Sequence, residues 1–324
     1  MQDLINGIVG FFGTILWPIK WVVELLLVGW HQLWTFIGLD PNAGLTWVLS
    51  VVGLVLVIRA ALIPIFVRQI KAQRRMQEVA PQIKKIQDKY KGKKDQFSRE
   101  AMSRETMELY KKTGTNPLSS CLPLLIQMPI FFSLFSVLHN AQTGISGIGL
   151  LNKSLSDSFG KASLFDIAPL HLAISTADGN VAVIVIAVTM VVLMTASQFI
   201  TQLQIMSKNQ SAEMKASPMY KQQRMLLYVL PLVFAFSGYS FPLGVMFYWL
   251  TTNVWTMVQQ FLVIRNMPTP GSEAALARET RLAKKAQRRG FSIIEEPAPA
   301  VEGPKPTTQR VQPVNAKNRN KKKK

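Results

Sequence analysis

Arg59 is the residue whose type and position point most directly to chemistry. It lies within one of five long apolar segments, and it is the only charged side chain in any of them. An arginine at the middle of a membrane helix costs about 2.5 to 3.5 kcal/mol on insertion scales. Something must offset that cost or use it, so a lone intramembrane guanidinium predicts a functional site.

Uncharged polar side chains are frequent in the same apolar segments. Two interpretations stay open for them: hydrogen bonds between helices, worth about 0.6 kcal/mol each, or the lining of a wet cavity that includes Arg59. The side chains in question are Gln127 in the second segment, Thr189, Thr195, Ser197, Gln198, Thr201 and Gln202 in the third, and Thr251, Thr252, Asn253, Gln259 and Gln260 in the fifth.

The position of Arg59 along its segment favours the wet cavity. Eight residues separate it from Val67, the expected end of the segment, which is about 12 Å of helix at 1.5 Å per residue. Reaching the interface over that length would stretch even an arginine side chain. A hydrated groove open to the cytoplasm would bring water and polar partners to the guanidinium instead.

The composition is that of a membrane protein with basic blocks. Of the 324 residues, 48% are hydrophobic and 17% are charged, and 37 Lys and Arg stand against 18 Asp and Glu. Cys121 is the single cysteine, which excludes an internal disulfide and a thiolate metal site. The spans contain no Asp or Glu, and HExxH, GxSxG and GxxxxGK[ST] are absent. The sequence therefore predicts no enzyme, no cofactor and no metal.

Apolar runs long enough to cross a membrane divide the chain into segments. They predict an all-α membrane protein with five transmembrane helices and a cytoplasmic helical hairpin. The segments are an N-terminal region at 1–44, TM1 at 45–67, the basic hairpin at 68–116, TM2 at 117–138, an extracytoplasmic loop at 139–180, TM3 at 181–203, a short cytoplasmic loop at 204–224, TM4 at 225–241, TM5 at 243–264 and a basic disordered tail at 265–324.

The distribution of basic residues predicts the orientation. Residues 68–112 carry fourteen Lys and Arg against six acids, and residues 204–224 carry four against one. Both segments should be cytoplasmic by the positive-inside rule. Five spans then place the N-terminus outside and the C-terminus inside the cell.

Residues 1–44 contain no recognisable signal or lipid-anchor motif. Between Pro18 and Leu39 a narrow polar stripe of Lys20, Glu24, His31 and Thr35 runs along an apolar helix. We interpret the segment as an amphipathic helix in the outer interface, with a sixth span from Trp21 to Leu39 as the alternative. His31 is read as an interfacial polar residue and not as a metal ligand.

The basic regions predict the partners. Met76, Val79, Ile83, Ile86 and Tyr90 form the apolar seam of a paired helix. The hairpin's positive charge either sets topology or docks an anionic partner such as a ribosome or a targeting factor. The tail has fifteen Lys and Arg against five acids, and we expect it to be largely disordered, with a transient helix over Glu273 to Arg289. Such tails attract anionic lipids and RNA.

Three motifs resemble the signature of the YidC family of membrane protein insertases. They are TGTNPLSSCLPLLIQMPIFF at 113–132, VIRAALIP at 57–64 and FYWLTTN at 247–253. The match covers roughly residues 45 to 265, in the family's order and with the basic hairpin between the first two segments. An actinobacterial-type member with an uncleaved N-terminal segment fits best.

The resemblance implies five helices around a hydrophilic groove that opens to cytoplasm and lipid and is closed outside. Arg59 matches the groove arginine, and Gln198 or Gln202 the glutamine of the third span. Tyr248 and Trp249 match the aromatic pair that contacts substrate, with Trp replacing a frequent Tyr. The expected groove set is Arg59, Gln127, Gln198, Gln202, Tyr248, Trp249 and Asn253.

The resemblance also implies a function in the bacterial plasma membrane. Nascent membrane proteins would be guided from the groove into lipid, alone or with a Sec-type translocon, and the ribosome and the signal recognition particle receptor are implied partners. Two rivals come from other classes: a solute channel or transporter, and a ribosome tether or scaffold without insertase activity.

Overall fold

The structure is a computed structural model that describes residues 2–93, 95–116, 122–215, 220, 224–225, 227–229, 233 and 236–289. The chain divides into two compact units, residues 1–278 and 279–324. The described part is mostly helical. Its elements are α1 (Gln2–Phe36), α2 (Gly44–Ala61), α3 (Ile63–Lys89), α4 (Gln96–Thr113), α5 (Leu122–Gln142), α6 (Lys153–Lys161), β1 (Ser163–Leu164), β2 (Ala168–Pro169), a 3₁₀ turn (Ile174–Thr176), α7 (Val181–Lys208), α8 (Ala212–Lys215), α9 (Leu243–Asn266) and α10 (Glu273–Arg288).

The core is formed where α2 packs against α1 and α9, while α1 also contacts α5 and α9 also contacts α7. Trp47, Leu54, Leu138 and Met246 are fully buried there. Outward-facing positions of the same helices, such as Val192, remain exposed and apolar. A helix that is apolar both towards its neighbours and outwards is typical of a protein surrounded by lipid.

Two of the described helices are long and apolar enough to cross a membrane by length and composition, α2 and α7. In α9 the apolar run is interrupted by Asn253, Gln259 and Gln260. Of the expected TM2, residues 117–121 lie outside the described residues, as do residues 226, 230–232 and 234–235 of the expected TM4 at 225–241. Cys121 belongs to that undescribed part.

The first expected span is divided in the structure. We expected one helix over 45–67, but α2 ends at Ala61 and α3 begins at Ile63 and continues to Lys89. Pro64 lies in the first turn of α3, where a missing N–H is tolerated. The hairpin therefore begins directly after α2, and residues 63–67 belong to its first helix, α3.

The end of the bundle that carries residues 139–180 is called the loop end here. Backbone N–H groups of Leu243 and Gly244 donate to Leu172 O and Leu170 O, each at 2.9 Å. The first N–H groups of a helix have no acceptor within the helix. Carbonyl groups of the loop therefore accept the hydrogen bonds of two such N–H groups in α9. The loop consequently fixes α9 against the bundle.

The N-terminal helix differs from its expected form. We placed the polar stripe of Glu24 and His31 at a lipid interface, but these side chains are only 2% and 3% exposed. The Glu24 carboxylate accepts from Ile148 N at 2.9 Å and Gly149 N at 2.7 Å. His31 Nε2 lies 2.9 Å from Pro41 O, and its ring stacks on Trp47. Glu24 and His31 face protein because the loop and Pro41, respectively, supply their hydrogen-bond partners.

The opposite end, called the hairpin end, carries α3 and α4, which pack against each other. Val79, one of the expected seam residues of α3, is buried. Asp95 caps α4 by accepting from Ser98 N at 2.8 Å, and Gly114 ends it with a φ of 63°.

The tail was expected to be largely disordered from residue 265, with a transient helix over Glu273 to Arg289. In the structure α9 continues to Asn266 and α10 forms over Glu273–Arg288, as its run of Ala, Glu, Lys and Arg favours. Residues 290–324 lie outside the described residues.

Candidate functional site

Arg59 lies in a cleft between α2, α5 and α9, called the Arg59 cleft here. The residue is 9% exposed. The cleft measures about 10 Å³, which is room for about one water molecule. Its lining consists of Val55, Ile58, Arg59, Leu62, Gln127, Ile130, Leu134, Tyr248 and Thr252.

The guanidinium has weak partners. Its Cζ atom lies 5.8 Å from the ring centroid of Phe66, a cation–π distance. The Tyr248 side chain lies close enough to interact electrostatically with Arg59, and the Gln127 side chain approaches the Tyr248 hydroxyl. Among the described residues Arg59 forms no ion pair with an acidic side chain. A buried cation without a carboxylate partner can attract an anionic group from outside the fold.

The expected groove residues of α9 separate onto two faces. Tyr248 and Thr252 line the Arg59 cleft. Trp249 and Asn253 line another small cleft of about 10 Å³ with Thr195 of α7. Successive residues on a helix point about 100° apart, so the two faces of α9 meet different neighbours. The structure thus brings Arg59, Gln127 and Tyr248 together and places Trp249 and Asn253 elsewhere.

Asn253 joins two helices. Its Nδ2 atom donates to Met194 O of α7 at 3.5 Å, and the residue is 9% exposed. Trp249 packs edge-on against Phe241, with ring centroids 5.4 Å apart. Both contacts tie α9 to its surroundings, as expected for polar and aromatic groups between membrane helices.

A larger polar cavity of about 190 Å³ lies between α3, α7 and the end of α9. Gln202 lines it, so this expected groove residue faces the hairpin end and not the Arg59 cleft. Arg74 Nε is buried there without a hydrogen-bond partner in the described part of the chain. The remaining lining residues are Ile70, Gln73, Ile205, Asn209, Gln210, Gln260, Val263, Met267 and Thr269.

Many hydroxyl groups in the spans bond to their own helix. Thr189 donates to Val185 O and Thr201 to Ser197 O, each at 2.7 Å. Such local bonds compete with contacts between helices and with water. The hydroxyl of Thr195 makes no hydrogen bond with described residues. The sequence left two interpretations open for these side chains. The structure adds a third, in which a hydroxyl donates its hydrogen bond to a backbone carbonyl of its own helix.

The positions of Gln198 and Phe66 differ from what the sequence predicted. Gln198 is half-buried in α7 and lines none of these three cavities. Phe66 was not singled out, although its ring lies at a cation–π distance from the guanidinium. Phe66 follows Arg59 by seven residues, or about two helical turns, so the two side chains would lie on one face of a continuous helix. The helix break at Leu62 is not evident from the sequence.

A helical bundle with exposed apolar faces, two described helices long and apolar enough to cross a membrane, and a buried arginine is typical of an all-α membrane protein. The family model described as "60Kd inner membrane protein" matches residues 38–270. A "Membrane protein insertase YidC" from Tropheryma whipplei strain Twist is 42% identical over 320 residues, covering 96% of this chain and 98% of the relative.

Two further relatives have the same printed name. The one from Streptomyces avermitilis is 46% identical over 293 residues, covering 88% of this chain and 65% of the relative. The one from Bifidobacterium longum is 34% identical over 303 residues, covering 90% and 89%. The chain therefore belongs to the YidC family, and the resemblance expected from its motifs is confirmed. This is a family of bacterial membrane proteins and not a classical enzyme family.

Proposed function

We propose that this chain inserts hydrophobic segments of nascent proteins into the bacterial plasma membrane. The observation that carries the proposal is the buried Arg59, which lacks a carboxylate partner in the described residues. The hairpin end is cytoplasmic, since it carries the excess of basic residues. The N-terminus is then outside and the C-terminus inside.

The polar flank of a substrate enters from the hairpin end. The polar cavity with Gln202 and Arg74 supports this entry route, because it offers hydrogen-bonding groups between the membrane and the cytoplasm. The flank then reaches Arg59, whose charge lowers the cost of bringing an acidic group into a low dielectric.

Insertion requires α9 to move. The Arg59 cleft has room for about one water molecule, so a polypeptide can occupy it only when α9 separates from α2 and α5. The apolar substrate helix meanwhile contacts lipid and partitions into it. Hydrophobic transfer at about 25 cal/mol per Å² of apolar area drives this step, and no nucleotide is needed.

Site-specific crosslinking to a stalled nascent membrane protein tests the proposal. Photoreactive residues at Val55 and Gln127 sample the Arg59 cleft. Matched positions on the same helices are Val57 and Met128, which are 37% and 43% exposed and lie outside that cleft.

We expect the cleft positions to capture the polar flank of the substrate and the matched positions to capture lipid or its apolar segment. Capture from the basic hairpin and tail alone would contradict the proposal and favour a ribosome tether.

The partners follow from the same mechanism. Nascent membrane proteins are the substrates, and the basic hairpin and tail contact the ribosome or the receptor of the signal recognition particle. Action together with a Sec-type translocon, and contact with anionic lipids through the tail, complete the proposed set. The positive charge of these segments supports each of these contacts.

A further inference from the structure

A second cleft lies at the hairpin end, on a different face of α3 from the polar cavity. It measures about 300 Å³ and is called the basic cleft here. Its lining consists of Arg68, Lys71, Ala72, Arg75, Gly114, Thr115 and Asn116. We propose that the basic cleft binds the phosphate of an anionic phospholipid headgroup.

No carboxylate of the described residues forms an ion pair with the cations of the basic cleft. Arg68, Lys71 and Arg75 follow the spacing i, i+3, i+7, which places them on one face of α3. None of the three forms an ion pair within the described ranges, although Lys89 on the same helix pairs with Glu105. Between residues 60 and 77 the sequence has no acid at all. Three converging cations without carboxylates form a site for an anion.

The surroundings place the basic cleft at the membrane surface. Ile63 and Ile65, in the first turn of α3, are 43% and 39% exposed. On the other wall, Asn116 precedes α5, whose Leu122 and Leu125 are 37% and 56% exposed. Along the chain, exposed apolar and polar residues therefore lie within about ten positions of each other on both walls.

Such a change from apolar to polar residues occurs at the depth of lipid phosphates. Basic pockets beside membrane helices on the cytoplasmic side bind anionic headgroups. The Thr115 hydroxyl and the Asn116 amide add neutral hydrogen-bonding groups to the same cleft. A phosphate with its glycerol is small enough to enter a cleft of this size. A large RNA would instead contact an extended exposed surface through its phosphates.

The test uses the full chain, purified and stripped of lipid, with phosphatidylglycerol, phosphatidylcholine and inorganic phosphate as probes. Native mass spectrometry measures how much of each probe the protein retains. The cleft variant combines Arg68→Gln, Lys71→Gln and Arg75→Gln. The control variant removes three charges elsewhere on the hairpin, with Lys84→Gln, Lys85→Gln and Lys91→Gln.

Wild type and control should retain phosphatidylglycerol in preference to phosphatidylcholine. The cleft variant should lose at least about tenfold in phosphatidylglycerol affinity, since each basic residue near an anionic surface contributes roughly fivefold. Equal losses in the two variants would show a general effect of net charge and overturn the proposal. Preferential binding of inorganic phosphate, or of an oligoribonucleotide added in a further sample, would also overturn it.

Folding of the variants is checked by circular dichroism and thermal unfolding. If the triple cleft variant does not fold, Arg75→Gln alone is compared with Lys85→Gln. A loss of about fivefold for the first and none for the second is then expected. Equal affinities of these two single variants would overturn the proposal.

Discussion

Glu24 and Arg59 are two buried charged residues of one bundle, and their surroundings differ. Glu24, at the loop end, accepts hydrogen bonds from the backbone of Ile148 and Gly149. Arg59, in the span, has the ring of Phe66, the Tyr248 side chain and no described carboxylate. Hydrogen bonds to a charged group each contribute about 1.5 to 3 kcal/mol, so the fold holds Glu24 far more firmly.

In the proposed mechanism, this difference distinguishes a structural charge, Glu24, from a binding charge, Arg59. A carboxylate bonded to two backbone N–H groups cannot exchange them for a substrate without opening the loop. Under the proposed function, a guanidinium beside rings and neutral amides gains a substrate partner when α9 moves. Variants of the first should therefore change stability, and variants of the second should change transport.

The largest effect is expected for Arg59→Ala. Insertion of substrates with acidic flanks should fall by about tenfold or more, because a charge-assisted contact of about 1.5 to 3 kcal/mol is lost. Thermal stability should not fall, since the burial cost of the cation is lost as well. The measurement is the insertion of an acidic-flank and a neutral-flank substrate into proteoliposomes.

Arg59→Lys is the matched control, because it keeps a charge at the same place. Partial recovery of acidic-flank insertion is expected for this variant. Equal insertion of the acidic-flank substrate by wild type and a folded Arg59→Ala protein would remove the arginine from the mechanism.

The next effect is a loss of stability in Glu24→Gln. One carboxylate oxygen becomes an amide N–H₂ that faces a backbone N–H, so a donor meets a donor. The free energy of unfolding should fall by about 1 to 2 kcal/mol, measured by denaturant titration of the purified protein in detergent.

Gly147→Ala should act in the same direction, because a Cβ at Gly147 would overlap the Glu24 carboxylate. Insertion per folded molecule should stay unchanged in both variants. A selective loss of acidic-flank insertion at full stability would show that Glu24 belongs to the transport path.

Arg74→Gln should give a smaller effect on transport. Arg74 lines the polar cavity and is half-buried, so its charge is partly screened and contributes up to about 1 kcal/mol. The rate of acidic-flank insertion should fall about two- to fivefold. Lys85→Gln, an exposed cation on the same helix, should leave the rate unchanged, and equal losses in both would contradict a role for the polar cavity.

The sequence predicted Arg59 and its companions to different degrees. A lone charge in an apolar segment is a local signal, so Arg59 could be found without a structure. The buried role of Glu24 could not, because its partners lie 124 and 125 residues away. The division of Tyr248 from Trp249 follows from helical geometry, but the neighbour that each face meets depends on how α2, α5 and α7 pack.

The smallest effect concerns an exposed charge pair on the hairpin, Lys89 and Glu105. The Lys89 ammonium and the Tyr90 hydroxyl both donate to the Glu105 carboxylate, at 2.9 and 3.1 Å. The hydrogen bond from Lys89 is the main cause that lowers the pKa of Glu105, and the same bond raises the pKa of Lys89. Both side chains are partly exposed to solvent, so the contribution is small.

The signs of these shifts set the pH window. A lowered Glu105 pKa stabilises the hairpin above its unfolded value of about 4.3, and this stabilisation is lost as pH falls through the folded pKa. A raised Lys89 pKa stabilises it below about 10.4 and is lost as pH rises through the folded pKa. The pair therefore supports the hairpin between about pH 5 and 10.

Hydrogen exchange of the hairpin amides measures this contribution. Glu105→Gln should exchange slightly faster than wild type at neutral pH, and the two should converge in acid, where Glu105 is protonated. Glu108→Gln, an exposed neighbour on the same helix, should match wild type throughout. A difference that persists in acid would show that packing of the side chain, and not its charge, joins α3 to α4.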